Sequence, residues 1–212
     1  EHARAAFTQA GARCDFVATQ PAGATIANVR HVLDHGDHDV VVAMGGDGTF
    51  REVASALVDS QRRRKVALAM LPTGTANDQG RSFGLSADED ALGDNVQVAL
   101  AGHETLLDGG RLTTRDASGS PLFTGYFFDS AAWGISARIL ARRNEDRRNV
   151  ERVPIVRDLW RDQALYATAA LATFLESYVV TDKFTVHLTI DGKQQTLARL
   201  SDFIVKGTRV YA

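Results

Sequence analysis

The first half of the chain alternates between strand-like and helix-like spacing of its apolar residues. Residues 40–44 and 66–71 are continuous apolar runs, which are typical of parallel strands covered on both faces. Helical spacing occurs around them, at residues 2–11, 24–35, 50–59 and 89–101. A short strand is also predicted at residues 14–19. This alternation predicts an α/β domain built on a parallel sheet.

The second half has a different pattern. Residues 111–114 and 122–128 flank a predicted turn at 116–119, and residues 184–190 alternate before the turn signal Asp191-Gly192. Residues 195–205 are predicted as the returning strand, and residues 158–178 as a helix. We therefore predict an α/β domain at residues 1–108 and a β-rich domain at residues 109–212.

Composition narrows the function classes. Hydrophobic residues make up 44% of the 212 residues, and the formal net charge is −2. This balance argues against a nucleic-acid partner bound through overall positive charge. The single Cys14 excludes an internal disulfide and indicates a reducing, cytoplasmic location. The chain opens on Glu1 and stops at Ala212, and we expect both ends to continue in a longer protein.

The apolar run at residues 40–44 ends in Gly45-Gly46-Asp47-Gly48-Thr49. Ligands of open α/β sheets bind beyond the carboxyl ends of the strands. Glycines there let backbone N–H groups face a phosphate, and the following helix N-terminus adds positive potential. Thr49 is a candidate helix cap or phosphate donor. The alternative is a tight turn in which glycine supplies the geometry and Asp47 caps the helix.

The second apolar run ends in a similar loop, Pro72-Thr73-Gly74-Thr75-Ala76-Asn77-Asp78. Neighbouring parallel strands would place both loops on one rim, where they would form a polar phosphate site. Asn77 and Asp78 are expected to close this loop through hydrogen bonds from side chain to backbone.

These two loops resemble a known family. Gly45–Thr49 followed by Glu52, together with Pro72-x-Gly74-Thr75-x-Asn77-Asp78 and Arg81, resembles the diacylglycerol kinase catalytic domain family, which extends to sphingosine and ceramide kinases. Three further segments resemble it in the same order: Thr19-x-x-x-Gly23-Ala24, Asp108-Gly109 and Ala132-Trp133-Gly134.

The resemblance implies a fold, cofactors and site residues. The fold is a parallel-sheet nucleotide-binding domain, like that of NAD kinase and phosphofructokinase, followed by a β-rich, sandwich-like lipid-binding domain. ATP and Mg²⁺ are the implied cofactors. The implied nucleotide contacts are Thr19, Gly45, Gly46, Asp47, Gly48, Thr49, Phe50, Arg51, Gly74, Thr75 and Asn77.

The implied catalytic residues are Asp47, Glu52 and Asp108. Asp47 is expected either to bind the Mg²⁺-nucleotide or to help deprotonate the lipid hydroxyl, and these two roles stay open. Glu52 also suits the first turn of a helix through its charge alone.

The chain also departs from the family. Family members open with a strand and an Asn-Pro-type loop that would precede Glu1, and they carry a late glutamate, proposed as general base, beyond residue 212. We therefore expect little kinase activity from these 212 residues alone.

Arg138 bears on which class of lipid is the substrate. Sphingosine kinases have an acid at this position that is thought to recognise an amine, and an arginine would repel a cation. Residues 138–161 carry a surplus of arginines among apolar residues, which predicts either a membrane-facing surface or a solvated helix face.

The sequence therefore predicts a lipid kinase that transfers the γ-phosphate of ATP to diacylglycerol. It would act at the membrane periphery and would not bind nucleic acid. A homodimer is an open alternative to a monomer. The alternatives are an NAD kinase-like or sphingosine/ceramide kinase-like phosphotransferase, and a non-catalytic lipid- or nucleotide-binding module.

Overall fold

A computed structural model describes residues 2–20, 23–150 and 183–208. The described helices are α1 (His2–Gln9), α2 (Ala24–His35), α3 (Asp47–Asp59), α4 (Asp78–Ser82), α5 (Leu92–Leu100) and α6 (Ile135–Val150), and a 3-10 turn at Glu89–Ala91 precedes α5. The described strands are β1 (Val40–Gly45), β2 (Ala67–Pro72), β3 (Gly110–Arg115), β4 (Pro121–Phe127), β5 (Ser130–Gly134), β6 (Phe184–Ile190), β7 (Lys193–Leu200) and β8 (Asp202–Lys206). The chain is therefore mixed α/β, with its antiparallel strands in the later part.

The chain forms two compact units. One consists of Glu1–Asp129 with Gly207–Ala212, and the other of Ser130–Lys206. The functional division into an ATP-binding domain at 1–108 and a lipid-binding domain at 109–212 stays a prediction.

In the first unit, β1 and β2 pair in parallel, with Val40 opposite Ala67 and Gly45 opposite Pro72. Ala43 and Met70 lie on one face of this pair, in a buried cluster with side chains of α3. Leu71 lies in a second buried cluster with side chains of α1 and α5. Apolar residues cover both faces, which explains why both strands are continuous apolar runs. The predicted parallel strands are thus confirmed.

The later strands pair in antiparallel fashion. β3 and β4 form a hairpin around Asp116, whose carboxylate accepts hydrogen bonds from the N–H groups of Ser118 and Ser120. β6 and β7 form a second hairpin around Asp191 and Gly192, which both have positive φ, as a two-residue turn requires. Both predicted hairpins are confirmed. β5 pairs with β8.

Two predicted elements are wrong. Residues 14–19 run without a partner in any described ladder, so they are not a strand. Residues 195–205 are not one strand either, because β7 ends at Leu200 and the chain then leaves β6 to pair with β5. The Ser201 carbonyl, between the two strands, accepts a hydrogen bond from Ile135 N–H.

The start of α3 also differs from the prediction, which placed it at residue 50. α3 begins at Asp47, and Phe50 N–H already donates to the Gly46 carbonyl. The glycine loop therefore includes the first turn of the helix. The predicted helix at residues 158–178 lies outside the described residues.

A cavity of about 190 Å³ lies between the extended residues 13–19, α2 and β1. This volume is more than ten times what a single water needs, which is about 10–15 Å³. Four large apolar side chains line the cavity and remain exposed: Phe16, Val17, Val40 and Met44. Across the described residues, β1 uses only one of its edges for pairing.

No helix in the part of the chain that the structure describes has both the length and the apolar character needed to cross a bilayer.

Candidate functional site

The candidate site is formed by the two glycine loops that follow β1 and β2. Both strands end at the same level, and Thr73 N–H donates to the Gly45 carbonyl at 3.0 Å. The loops then touch through their backbones. A Cβ atom placed on Gly74 would lie 2.4 Å from the Cα of Gly46, closer than a side chain permits. Glycine at position 74 is therefore required by the contact between the loops.

Asn77 closes the second loop. Gly74 N–H donates to its Oδ1 at 2.9 Å, and its Nδ2 donates to the Gly74 carbonyl. The side chain is only 3% exposed, and the backbone is left-handed, with φ 53° and ψ 40°. Asparagine tolerates this conformation better than most residues. The predicted closing role of Asn77 is confirmed.

Asp47 joins the two loops. Its Oδ1 accepts a hydrogen bond from Gln79 N–H at 2.9 Å, and its Oδ2 accepts one from Asp78 N–H at 3.2 Å. Asp47 is the first residue of α3, whereas Asp78 and Gln79 begin α4. The carboxylate thus bonds to the free N–H groups of another helix, where its negative charge suits the helix dipole.

Other predicted site residues of the first loop lie around α3. The N-cap of α3 is Gly46, so Thr49 does not cap it, and the Thr49 side chain lies directly against Gly45. Gly48 and Arg51 are exposed, and Glu52 is half-buried. Phe50 is 2% exposed and packs against the rings of Phe83 and Phe128, so its side chain belongs to the core.

The remaining predicted residues, Thr75, Thr19 and Asp108, lie on three different segments of the chain. Thr75 is exposed on the second loop. Thr19 is exposed at the end of the extended segment and lines the same cavity as Thr49. Asp108 is exposed in the irregular chain between α5 and β3, and no hydrogen bond of the described residues joins it to either loop. The structure therefore brings the two loops together, and the catalytic role of Asp108 stays a prediction.

Gln79 belongs to this region and was missed by the sequence analysis. Its backbone N–H bonds to Asp47, while its side chain is 1% exposed and both amide atoms lack a hydrogen-bond partner among the described residues. The signal was available: a helix beginning after Asn77 has free N–H groups at its first residues, and these need an acceptor.

The Asp47 carboxylate could bind Mg²⁺, but the described residues around it do not form a complete metal site. Each Asp47 oxygen accepts one N–H and keeps a lone pair, and Mg²⁺ is commonly held by one or two carboxylates with substrate phosphates and water. Within the described ranges, no group of three histidine, cysteine or acidic side chains forms a preformed metal cage. The residues present thus fit a metal that arrives with a phosphate ligand.

The fold and the loops define an α/β domain with a candidate ligand site at the carboxyl ends of its parallel strands. The family model for the diacylglycerol kinase catalytic domain matches residues 1–112, which include β1, β2 and both loops. The chain belongs to the diacylglycerol kinase catalytic domain family.

Similar proteins agree with this assignment. A diacylglycerol kinase of Staphylococcus carnosus (strain TM300) is 33% identical over 127 residues, covering 59% of this chain and 36% of that protein. A diacylglycerol kinase of Staphylococcus aureus (strain JH9) is 32% identical over 126 residues, covering 59% of this chain and 35% of that protein. The chain therefore matches about a third of the length of these relatives.

Proposed function

We propose that this protein takes part in ATP-dependent phosphorylation of a lipid hydroxyl, with diacylglycerol as substrate and phosphatidic acid as product. The observation that supports the proposal most is the direct backbone contact between the loops of Gly46 and Gly74, in a member of the diacylglycerol kinase catalytic domain family. Glycine loops at strand ends leave backbone N–H groups open to phosphate oxygens.

The proposed reaction is an in-line transfer. The lipid hydroxyl oxygen forms a bond to the γ-phosphorus, the bond from that phosphorus to the bridging oxygen breaks, and ADP leaves while the hydroxyl proton passes to a base. Such a transfer depends on positioning and charge neutralisation. When bound with ATP, Mg²⁺ would neutralise the phosphate charges, and the loop N–H groups would hold the phosphates in place.

We assign the nucleotide to the loops of Gly45–Arg51 and Gly74–Asn77, with Thr19 and Thr49 on the adjoining cavity wall. Thr75 is exposed at the tip of the second loop, as a hydroxyl that contacts phosphate must be. Glu52 and Asp108 are assigned as supporting acids. We assign Phe50 a packing role, because its ring is buried.

The lipid would be neutral or anionic. Arg138 is exposed on α6, and its positive charge would repel a protonated amine such as that of sphingosine. A membrane surface rich in anionic lipid would attract arginines of this segment, each contributing about 1 kcal/mol. We therefore propose peripheral binding at the cytoplasmic face of a membrane.

An acceptor panel tests the proposal. The full-length protein is incubated with radiolabelled ATP, Mg²⁺ and one acceptor at a time. The acceptors are diacylglycerol, sphingosine, NAD and fructose 6-phosphate. Label in phosphatidic acid, abolished by EDTA, is the expected result. Transfer of label to NAD would instead indicate an NAD kinase-like phosphotransferase, and transfer to sphingosine would indicate a sphingosine kinase-like one. ATP binding without transfer to any acceptor would favour a binding module.

A further inference from the structure

Helix α4 has no side-chain cap of its own. Its N-cap residue is Asn77, which makes no side-chain hydrogen bond to the N–H groups of the helix. The Asn77 side chain instead bonds to the backbone of Gly74, where it closes the second loop. The first N–H groups of α4 therefore need an acceptor from elsewhere.

Asp47 supplies that acceptor from the other loop. Its two oxygens accept hydrogen bonds from Asp78 N–H and Gln79 N–H, at 3.2 and 2.9 Å. Hydrogen bonds to an ionised carboxylate are stronger than those between neutral groups. The same two loops meet at Gly46 and Gly74. Asp47 thus ties α4 to the start of α3 beside the point where the backbones touch.

We propose that Asp47 is a positioning residue that caps α4 across the loops and thereby holds the second glycine loop against the first before any nucleotide binds. This inference rests on the proposed function, because it assigns the two loops to a nucleotide. Its essential partners are backbone N–H groups within the chain, so its effect is present without ATP and without Mg²⁺.

A residue needed only as metal ligand or base would behave differently. Its loss would remove turnover, but it would leave the second loop in place when no nucleotide is present. Asparagine discriminates between the two roles. It caps helices about as well as aspartate and keeps one acceptor oxygen, but it carries no charge for a metal and takes up no proton as a base.

The experiment compares Asp47→Asn and Asp47→Ala with the unchanged chain. Asp94→Asn is the matched control, since Asp94 is an exposed acid in the first turn of α5. Hydrogen exchange of the Asp78 and Gln79 amides is measured without nucleotide and metal, and MgATP affinity is measured by calorimetry.

We expect Asp47→Ala to speed exchange of both amides by about tenfold or more and to weaken MgATP binding. Asp47→Asn should lie between Asp47→Ala and the unchanged chain in both measurements, and Asp94→Asn should match the unchanged chain. If Asp47→Ala does not fold, the Asp47→Asn comparison alone decides the proposal.

Unchanged exchange at Asp78 and Gln79 in Asp47→Asn and Asp47→Ala would overturn the proposal. Unchanged MgATP affinity in both variants would also overturn it, because the loop held by Asp47 would then not matter for nucleotide binding. If the full-length protein binds no MgATP, the proposed function fails, whereas the exchange result still decides whether Asp47 holds the loop.

Discussion

At the scale of single residues, the buried amide of Gln79 is costly to the fold. Within the part of the chain that the structure describes, neither of its polar atoms has a hydrogen-bond partner, and the side chain is 1% exposed. A buried amide without hydrogen bonds costs about 1–3 kcal/mol. Methionine has a similar length and no such requirement. We expect Gln79→Met to raise the free energy of unfolding by about 1 kcal/mol, measured by urea denaturation.

Gln97 provides the matched control, because it lies exposed on α5. Gln97→Met should change the free energy of unfolding by less than about 0.5 kcal/mol. A loss of stability in Gln79→Met would show that the amide has a partner in solution.

Asn77 combines a left-handed backbone with a side chain that closes its loop. Asn77→Gly loses the hydrogen bonds but accepts the backbone conformation, so it should cost about 1 kcal/mol. Asn77→Ala loses the same bonds and also strains the backbone by about 1–2 kcal/mol. Thermal denaturation should therefore rank the stabilities as unchanged chain, Asn77→Gly, then Asn77→Ala. Equal stability of the two variants would contradict the backbone argument.

At the scale of elements, the contact between the loops depends on a missing side chain. Gly74→Ala would place a Cβ atom 2.4 Å from the Cα of Gly46, so one loop must move. We expect a cost of about 1–3 kcal/mol in the free energy of unfolding. In Gly48→Ala the new atom meets no described residue within 4 Å. This control, in the first turn of α3, should be neutral or stabilising by up to about 1 kcal/mol.

The hairpin of β3 and β4 is tied to the end of α3 by one hydrogen bond. Tyr126 Oη donates to Asp59 Oδ1 at 3.0 Å, and this bond is the main cause that raises the pKa of Tyr126 above its ordinary value of 10.0. A raised pKa in the folded chain stabilises it fully below the ordinary value, and the stabilisation is lost as the pH rises through the folded value.

We therefore expect the stability difference between the unchanged chain and Tyr126→Phe to be constant from about pH 7 to 9 and to shrink above about pH 10. Chemical denaturation at each pH measures it. Asp59→Asn retains the tyrosine but removes the carboxylate. The stability difference between Asp59→Asn and Asp59→Asn with Tyr126→Phe should therefore change less across the same pH range.

Most elements were predictable from spacing and turn residues. The hairpin at Asp191-Gly192 is an example, because its two turn residues carry the backbone conformation that the turn requires. Residues 14–19 were not, because their composition does not show whether they pair: β1 keeps an unpaired edge among the described residues, yet residues 14–19 form no ladder with it. The break between β7 and β8 was missed for a related reason: Ser201 lies where the chain exchanges one partner strand for another.

For the site, the sequence predicted the convergence of the loops and the closing role of Asn77. Parallel pairing places Gly45 opposite Pro72, and this follows from the two apolar runs. The need of the first α4 N–H groups for an acceptor could be predicted, but the identity of Asp47 as that acceptor could not, because the bonds join residues far apart in the chain. The burial of Phe50 was also missed. The glycine-rich residues before it indicate a loop, although α3 already begins at Asp47.

At the scale of the molecule, the cavity beside β1 leaves apolar surface in water. Val17 is 47% exposed on its wall, and exposed apolar clusters bind apolar ligands. The neutral dye Nile red should bind there, and Val17→Lys should lower its fluorescence by about half or more.

Val98 offers the comparison, because it is 59% exposed on α5 and does not line the cavity. Val98→Lys should leave the fluorescence unchanged. Equal losses in the two variants would show that the dye binds without preference for the cavity.

Because the backbones of Gly46 and Gly74 touch, the residue that position 74 can accept depends on where the loop of Gly46 lies. A methyl group gained at position 74 is tolerated only if the other loop retreats, and the retreat would widen the gap offered to a ligand. An alanine aligned with Gly74 in a homologous gene would therefore mark an enzyme with remodelled geometry at this rim, and such genes can be sorted before any protein is made.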